Sequence, residues 1–250
     1  MTEATSNTNT DQQKSIAPAH AARLMRWATY ASVSVAIALI AIKSGAWFHT
    51  NSVSILTSLI DSVLDGGASV INLIAVRHAL TPADREHRFG HGKAESVAAL
   101  GQAAVIAGSA VFLLLQGGNR LIRPEPLSHA QSGVAVMVVS VAITVGLLLF
   151  QRYVVKRTRS VAISADSLHY LSDLFTALAV VVALLLSDYL GWTYADPLFA
   201  LAIASYILYS SWQIAASAFD QVMDRELPDK DRDRIREIAI SHSDVLDMHD

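Results

Sequence analysis

The chain has 250 residues, of which 52% are hydrophobic and only 16% are charged, and its mean hydropathy is +0.38. Soluble domains carry about 25% charged residues, so this composition excludes an ordinary soluble protein and, over most of the length, a disordered one. The net charge of −3 excludes a polybasic nucleic-acid binder, and a sequence without cysteine excludes disulfides, iron–sulfur clusters and thiolate metal sites.

Apolar segments predict an all-α membrane protein. Residues 1–21 are polar and lack the apolar stretch of a signal peptide, so we expect a disordered cytoplasmic tail. Charge-poor segments then recur across 22–219, each near the roughly 20 residues that a helix needs to cross a bilayer. They predict six transmembrane helices, at about 27–48, 55–77, 95–117, 132–153, 163–187 and 197–218.

The distribution of Lys and Arg predicts the orientation. Of the 19 such residues, only Lys43, Arg120 and Arg123 lie outside the segments on the side of the two termini. The positive-inside rule therefore places both termini in the cytoplasm, as expected for a multi-pass protein of the cytoplasmic (inner) membrane. Lys43 lies near the outer end of the first span, where it can snorkel or pair.

Residues 220–250 have a soluble composition. We expect Pro228 to begin a charged helix with Ile235 and Ile238 on its apolar side. Because little follows that could cover this side, we expect the segment to be the start of an incomplete cytoplasmic domain.

Two predicted spans carry ionisable residues in matched pairs. Asp61 and Asp65 lie one helical turn apart in the second predicted span, and His169 and Asp173 have the same spacing in the fifth. An ionised carboxylate at mid-bilayer costs about 2.5–3.5 kcal/mol, and Lys43 alone cannot neutralise three. A divalent cation can, and these four side chains would form a tetrahedral site for Zn²⁺ or a similar ion.

The alternative is that these acids are protonated and join helices, with His169 as a core histidine. The two matched pairs make this the weaker interpretation. Asp166, one turn before His169, is either a relay or entry carboxylate or an interfacial cap, and we favour the cap. Because metal binding requires deprotonated ligands, a site at this depth could exchange metal for protons.

A second cluster lies in the loop between the second and third predicted spans. Asp84, His87 and His91 fall close together beside two glycines, which fits a surface zinc site, although such loops are often simply solvated. His78 is interpreted as an interfacial residue.

Several stretches together resemble the cation diffusion facilitator family, in particular its bacterial ferrous-iron and zinc efflux branch, over roughly residues 22–250. The matching stretches are SLIDSVLD at 58–65, PADREHRFGHGKAES at 82–96, ADSLHYLSD at 165–173 and MDRELPD at 223–229.

The resemblance implies a six-span homodimer that exchanges cytoplasmic divalent metal for protons, with metal as substrate and no prosthetic group. It implies a transport site formed by Asp61, Asp65, His169 and Asp173, and a loop site formed by Asp84, His87 and His91. It also makes Lys93 and Asp224 an ion pair at the dimer interface, and His249 a ligand in a ferredoxin-like cytoplasmic domain. We expect only the start of that domain here, without the partners of His249.

The intramembrane site differs from that of zinc-restricted members, which use two histidines and two aspartates. One imidazole with three carboxylates is a harder ligand set, so we expect Fe²⁺, Cd²⁺ or Mn²⁺ to be accepted beside Zn²⁺.

Three other functions compete with metal–proton exchange. An intramembrane metalloenzyme is disfavoured because the sequence lacks HExxH and has a single HxxxH, at His87 and His91. A passive cation channel would also place polar residues in spans, but a tight tetrahedral site opposes rapid conduction. A metal sensor that binds without transport stays open.

Overall fold

The computed structural model describes residues 18–51, 53–122, 134–190, 194–242 and 245, and within them the chain is helical, without strands. The helices are α1 (Pro18–Thr50), α2 (Val53–Ala79), α3 (Lys93–Ile122), α4 (Val134–Thr158), α5 (Val161–Leu190), α6 (Ala195–Val222) and α7 (Asp229–Ile240).

Five helices are long and apolar enough to cross a membrane, counted over the described residues. They are Ala19–Thr50, Ser58–Ala79, Lys93–Ile122, Val136–Thr158 and Pro197–Val222. These five match five of the predicted spans. The remaining predicted span, 163–187, falls within α5, of which only part has described side chains, so its crossing of the membrane stays a prediction.

Large apolar side chains cover the outside of the helices. Ile37, Ile71, Phe112, Leu149 and Trp212 are all more than half exposed. A soluble monomer rarely exposes apolar surface on this scale, whereas a bilayer would cover it.

Two helix boundaries follow local chemistry rather than hydropathy. α1 begins at Pro18, well before the predicted span at 27, because Ala, Leu and Met continue the helix beyond its apolar part. α7 begins directly after Pro228, as the sequence predicts, and none of its residues is buried.

α5 is the central helix of the bundle, and it packs against each of the other five long helices. Its first turn is capped by Ser160, whose Oγ accepts from the N–H of Ile163 at 3.2 Å and donates to Glu95 Oε1 at 2.5 Å. An apolar core surrounds this end of α5, and its members include Met25, Ala28, Val76, Ala99, Val154, Ala165 and Ala218. Small residues at such positions let helices approach closely.

α3 and α6 form an antiparallel pair that is joined by hydrogen bonds at two positions along its length. Ser96 Oγ donates to Gln221 Oε1 at 2.7 Å, and Ser211 Oγ donates to the carbonyl of Ala103 at 2.6 Å. At the far end, a Cβ on Gly117 would lie 3.3 Å from Leu201 Cδ2, so the helices touch there because this residue has no side chain.

Replacing Gly117 by Leu should therefore force α3 and α6 apart and lower the unfolding temperature of the detergent-solubilised protein. Overpacking of this kind costs about 1–3 kcal/mol. Gly118→Leu is the matched control, since a Cβ there would meet nothing within 4 Å. Equal unfolding temperatures for the two variants would contradict the close contact at Gly117.

Candidate metal centres

The first candidate centre lies between α2 and α5. His169 Nε2 lies 2.8 Å from Asp65 Oδ1 and 4.0 Å from Asp173 Oδ2. The side chains of His169, Asp65 and Asp173 are 18%, 24% and 49% exposed. One ligand atom from each of the three lies within 4.8 Å of the others, so a single ion could contact all three.

Helix geometry explains this convergence. The four-residue spacing puts His169 and Asp173 on one face of α5, and α2 brings Asp65 against that face. The ring of Tyr170 stands edge-on to His169, with centroids 5.8 Å apart. The imidazole is thus held from two sides, by a carboxylate and by an aromatic ring.

The distances suit a small divalent ion. A tetrahedral ion bound at about 2.0 Å separates its ligand atoms by about 3.3 Å. The observed separations of 2.8 and 4.0 Å lie on either side of that value, so small side-chain movements would form the site.

Asp61 is the predicted ligand that the structure does not bring into this cluster. It is exposed and lies one turn before Asp65 on α2. Lys43 lies beside the same segment, and its Nζ donates to Ser62 Oγ at 2.7 Å and to the carbonyl of Ser58 at 3.1 Å. From the sequence we expected Lys43 either to snorkel or to pair. In the structure its ammonium group forms hydrogen bonds with α2.

The second candidate centre is the loop cluster of Asp84, His87 and His91. Asp84 Oδ1 lies 3.3 Å from His87 Nδ1, and Asp84 Oδ2 lies 3.4 Å from His91 Nε2. The ligand atoms of all three meet within 4.8 Å. Gly90 has a φ of 83°, a left-handed conformation that few residues other than glycine adopt readily. The loop reverses there and returns His91 to Asp84.

Backbone hydrogen bonds hold the Asp84 carboxylate in place. The N–H groups of His87 and Glu86 donate to Asp84 Oδ1 at 2.6 and 2.9 Å. These bonds, led by that from His87, hold the pKa of the exposed Asp84 carboxyl below its usual range. The carboxylate therefore stays ionised, and its support of this turn is lost only when the pH falls below the usual aspartate range.

His78 adjoins the loop cluster, a proximity that the sequence interpretation missed. Its ring stands edge-on to His91 with centroids 4.6 Å apart, and the ring of His87 lies 4.4 Å from that of His91 on another side. The His91 side chain is only 8% exposed, and its Nδ1 is buried without a hydrogen-bond partner among the described groups. The position of His78 at the end of α2, where the loop begins, could have indicated from the sequence that it lies near the loop cluster.

Lys93 and Asp224 form an ion pair, with Nζ 2.7 Å from Oδ2. The pair joins the start of α3 to the segment after α6. Both side chains are more than half exposed, so the pair contributes little to stability by itself. Its place at a dimer interface stays a prediction, and His249 lies outside the described residues.

Asp166 is not the interfacial cap that we favoured from the sequence. It is 1% exposed, inside the bundle. Ser32 Oγ and Gln151 Nε2 donate to its Oδ2 at 2.7 and 2.6 Å, and Gln102 Nε2 donates to its Oδ1 at 3.3 Å. The cap interpretation was wrong because α5 begins at Val161 and is capped by Ser160, which places Asp166 beyond the first turn.

Comparison with known proteins identifies the family. Residues 29–223 match the cation efflux transmembrane domain. The chain belongs to the cation efflux family. The cation-efflux pump FieF of Klebsiella pneumoniae is 49% identical over 228 residues, which cover 91% of this chain and 76% of that protein. The pump of the same name from Shewanella oneidensis is 48% identical over 226 residues, covering 90% and 76%.

Membership of the cation efflux family makes this chain a membrane transporter of metal cations rather than a catalytic enzyme. Metal is then the substrate of the protein and not a prosthetic group.

Changing Asp84 to Asn should weaken metal binding at the loop while preserving the turn. The amide oxygen still accepts the two backbone hydrogen bonds, but the charged ligand is lost. We expect affinity to fall by at least about 10-fold, measured by Zn²⁺ titration of a protein whose Asp65 and Asp173 are replaced by Ala.

Glu86→Gln is the matched control, because its exposed side chain lies outside the cluster. If Asp84→Asn and Glu86→Gln bind Zn²⁺ alike, the loop does not use the Asp84 carboxylate.

Proposed function

We propose that this protein exports a divalent metal ion from the cytoplasm in exchange for protons, through an intramembrane site formed by Asp61, Asp65, His169 and Asp173. The observation that carries the proposal is the meeting of Asp65, His169 and Asp173 between two long helices. Three ligand groups at this depth need a cation or protons for charge balance.

Asp61 is included as the fourth ligand because of its place on α2. Residues four apart on a helix have Cβ atoms about 5–6 Å apart, so Asp61 and Asp65 can reach one ion. Four ligands, two from each helix, would complete a tetrahedral shell.

Exchange for protons follows from the ligands themselves. Carboxylates and imidazole bind metal only when deprotonated, so metal and protons compete for the same atoms. His169 Nε2 and Asp65 Oδ1 lie 2.8 Å apart, which is the distance of a hydrogen bond that needs a proton between them. Protons entering this pair would release a bound ion, and a bound ion would release the protons.

The ligand set favours Zn²⁺ with Fe²⁺, Cd²⁺ or Mn²⁺ as further substrates. One imidazole among three carboxylates is harder than a site with two imidazoles. This hardness supports Fe²⁺ and Mn²⁺, whereas the softer Cd²⁺ would be accepted without such a preference. The relatives are named cation-efflux pumps, which agrees with metal export but leaves the ion open.

We further propose that α5 also crosses the membrane, which brings the number of spans to six. Both termini would face the cytoplasm, and the protein would lie in the inner membrane. The Lys and Arg bias supports this orientation. The transmembrane domain would then comprise 22–219. Residues 18–21 of the predicted tail are the first residues of α1, and residues 1–17 lie outside the described part of the chain. Residues 220–250 would start a ferredoxin-like cytoplasmic domain.

A homodimer is also part of the proposal. The ion pair of Lys93 with Asp224 fixes the loop beside α3 to the segment that follows α6. A second copy of the chain could contact the surface around this ion pair. The loop site of Asp84, His87 and His91 lies directly before Lys93 in the sequence.

A sensor and a passive channel are the alternatives. A sensor would bind metal without flux, and a channel would pass ions without saturation or dependence on a pH gradient. Family membership favours transport over sensing, and the close ligand cluster favours a saturable carrier over a pore.

Transport of Zn²⁺ into proteoliposomes under an imposed pH gradient tests the proposal. The wild type should give a saturable flux that grows with the gradient. Asp173→Ala should reduce the flux to the level of empty liposomes, because it removes one ligand and one exchangeable proton site.

Asp231→Ala, an exposed change on α7, should transport like the wild type. A flux that ignores the pH gradient would contradict proton exchange, and normal flux in Asp173→Ala would contradict the site.

A further inference from the structure

A second ionisable group lies inside the bundle and is not a member of either metal cluster. The carboxylate of Asp166 is buried, and its three hydrogen-bond donors come from three other helices: Ser32 on α1, Gln102 on α3 and Gln151 on α4. All three donors are neutral. Burying an acid among neutral donors, with no Lys or Arg partner among the described residues, is costly, so the presence of Asp166 points to a function.

The donor pattern suits a proton better than a metal ion. A carboxylate offers about four lone-pair positions. Hydrogen bonds occupy two on Oδ2 and one on Oδ1, which leaves one position on Oδ1. The donors direct N–H and O–H hydrogens at the carboxylate, and these partial positive charges would repel a metal ion. One proton could still occupy the remaining lone-pair position.

Gln151 can serve both protonation states of Asp166. Its Nε2 donates to the carboxylate at 2.6 Å, while its Oε1 is buried and has no partner among the described groups. A half-turn of this amide would exchange the two atoms, so that the position on Oδ2 now used by Nε2 would take a proton donated to Oε1, as an alternative to the open position on Oδ1. The buried Oε1, which has no partner among the described groups, is the acceptor that a proton on Oδ2 would use.

A chain of hydrogen bonds leads from Asp166 to Tyr170, whose ring packs against His169 of the metal cluster. Ser32 Oγ, which donates to Asp166, lies 3.1 Å from Ser69 Oγ, and Ser69 Oγ lies 3.0 Å from the Tyr170 hydroxyl. Tyr170 packs edge-on against His169, one turn along α5 from Asp166. A shift of α5 at the metal site therefore changes the surroundings of Asp166.

The groups that face Asp166 from its neighbours are mostly not titratable. α1, α3 and α4 present a hydroxyl and two amides, and α2 reaches it through the Ser69 hydroxyl. On α5 itself the titratable neighbours are His169 and Tyr170. On α6, the described acid Asp220 pairs with Arg225 instead.

We propose that Asp166 is a proton-binding site of the transport cycle, separate from the metal ligands, which takes up and releases one proton as the metal cluster empties and fills. The proposal rests on the metal–proton exchange proposed above. It adds that one coupled proton is held by a residue that never binds the ion.

Infrared difference spectroscopy of the full chain tests the protonation directly, with Zn²⁺ as the probe. A protonated carboxyl has a carbonyl stretch that a carboxylate lacks. We expect Zn²⁺ addition to the wild type to change a carboxyl band that is missing in Asp166→Asn, while both proteins bind Zn²⁺ with equal stoichiometry. Identical difference spectra in the two proteins would overturn the proposal.

Proton and metal fluxes in proteoliposomes test the coupling. Asp166→Asn should lower the number of protons moved per Zn²⁺ by roughly one, and should flatten the dependence of flux on pH. A flux that falls equally at every pH, with the wild-type proton ratio, would indicate a purely structural residue and overturn the proposal. Asp220→Asn, the same change at a surface acid, should keep the wild-type ratio.

The outcomes separate the two proposals. If the wild type itself shows no proton coupling, both fail. If the wild type is coupled and Asp166→Asn is equally coupled, only the role of Asp166 fails. Should Asp166→Asn not fold, Gln151→Met keeps the acid but removes both amide atoms. It should shift the carboxyl band, and an unshifted band would overturn the role of the amide.

Discussion

Charge balance inside an apolar bundle is the constraint on which the rest of this structure depends. Carboxylates are costly at bilayer depth, and Lys43 is the one Lys or Arg of the sequence that falls inside the predicted spans away from their ends. The described structure meets this constraint in two ways. Asp65 and Asp173 share His169 on facing helices, and Asp166 is surrounded by neutral donors from three helices. We propose that each arrangement holds a removable cation, a metal ion in the first and a proton in the second.

The central position of α5 joins these two sites. The helix touches every other long helix, carries His169 and Asp173 on one face, and buries Asp166 one turn earlier. Small residues around its beginning let the neighbours approach closely, and the α3–α6 pair packs beside it through Gly117. A change of occupancy at the metal cluster thus acts on the helix that holds the bundle together.

The sequence predicted those features that have a local cause. Helix positions follow from hydropathy, and the pairing of Asp65 with His169 follows from matched spacing and charge balance. Burial of Asp166 could not be foreseen, because its donors Ser32, Gln102 and Gln151 are distant in sequence and resemble ordinary polar residues in spans.

The contact of His78 with His91 depends on the path of the loop through Gly90, which spacing alone does not give. Asp61 shows a different limit of sequence analysis. Helical spacing places Asp61 one turn from Asp65, but it does not give the direction of the Asp61 side chain, which lies outside the cluster.

The most direct test is X-ray absorption spectroscopy of the protein loaded with one equivalent of Zn²⁺, with the loop cluster removed by Asp84→Ala and His87→Ala. The proposed site predicts a four-coordinate shell with one imidazole nitrogen and three carboxylate oxygens at about 2.0 Å. Adding His169→Ala should eliminate the imidazole signal. A shell with two or more imidazoles, or a six-coordinate shell of water oxygens, would contradict an intramembrane site built on Asp61, Asp65, His169 and Asp173.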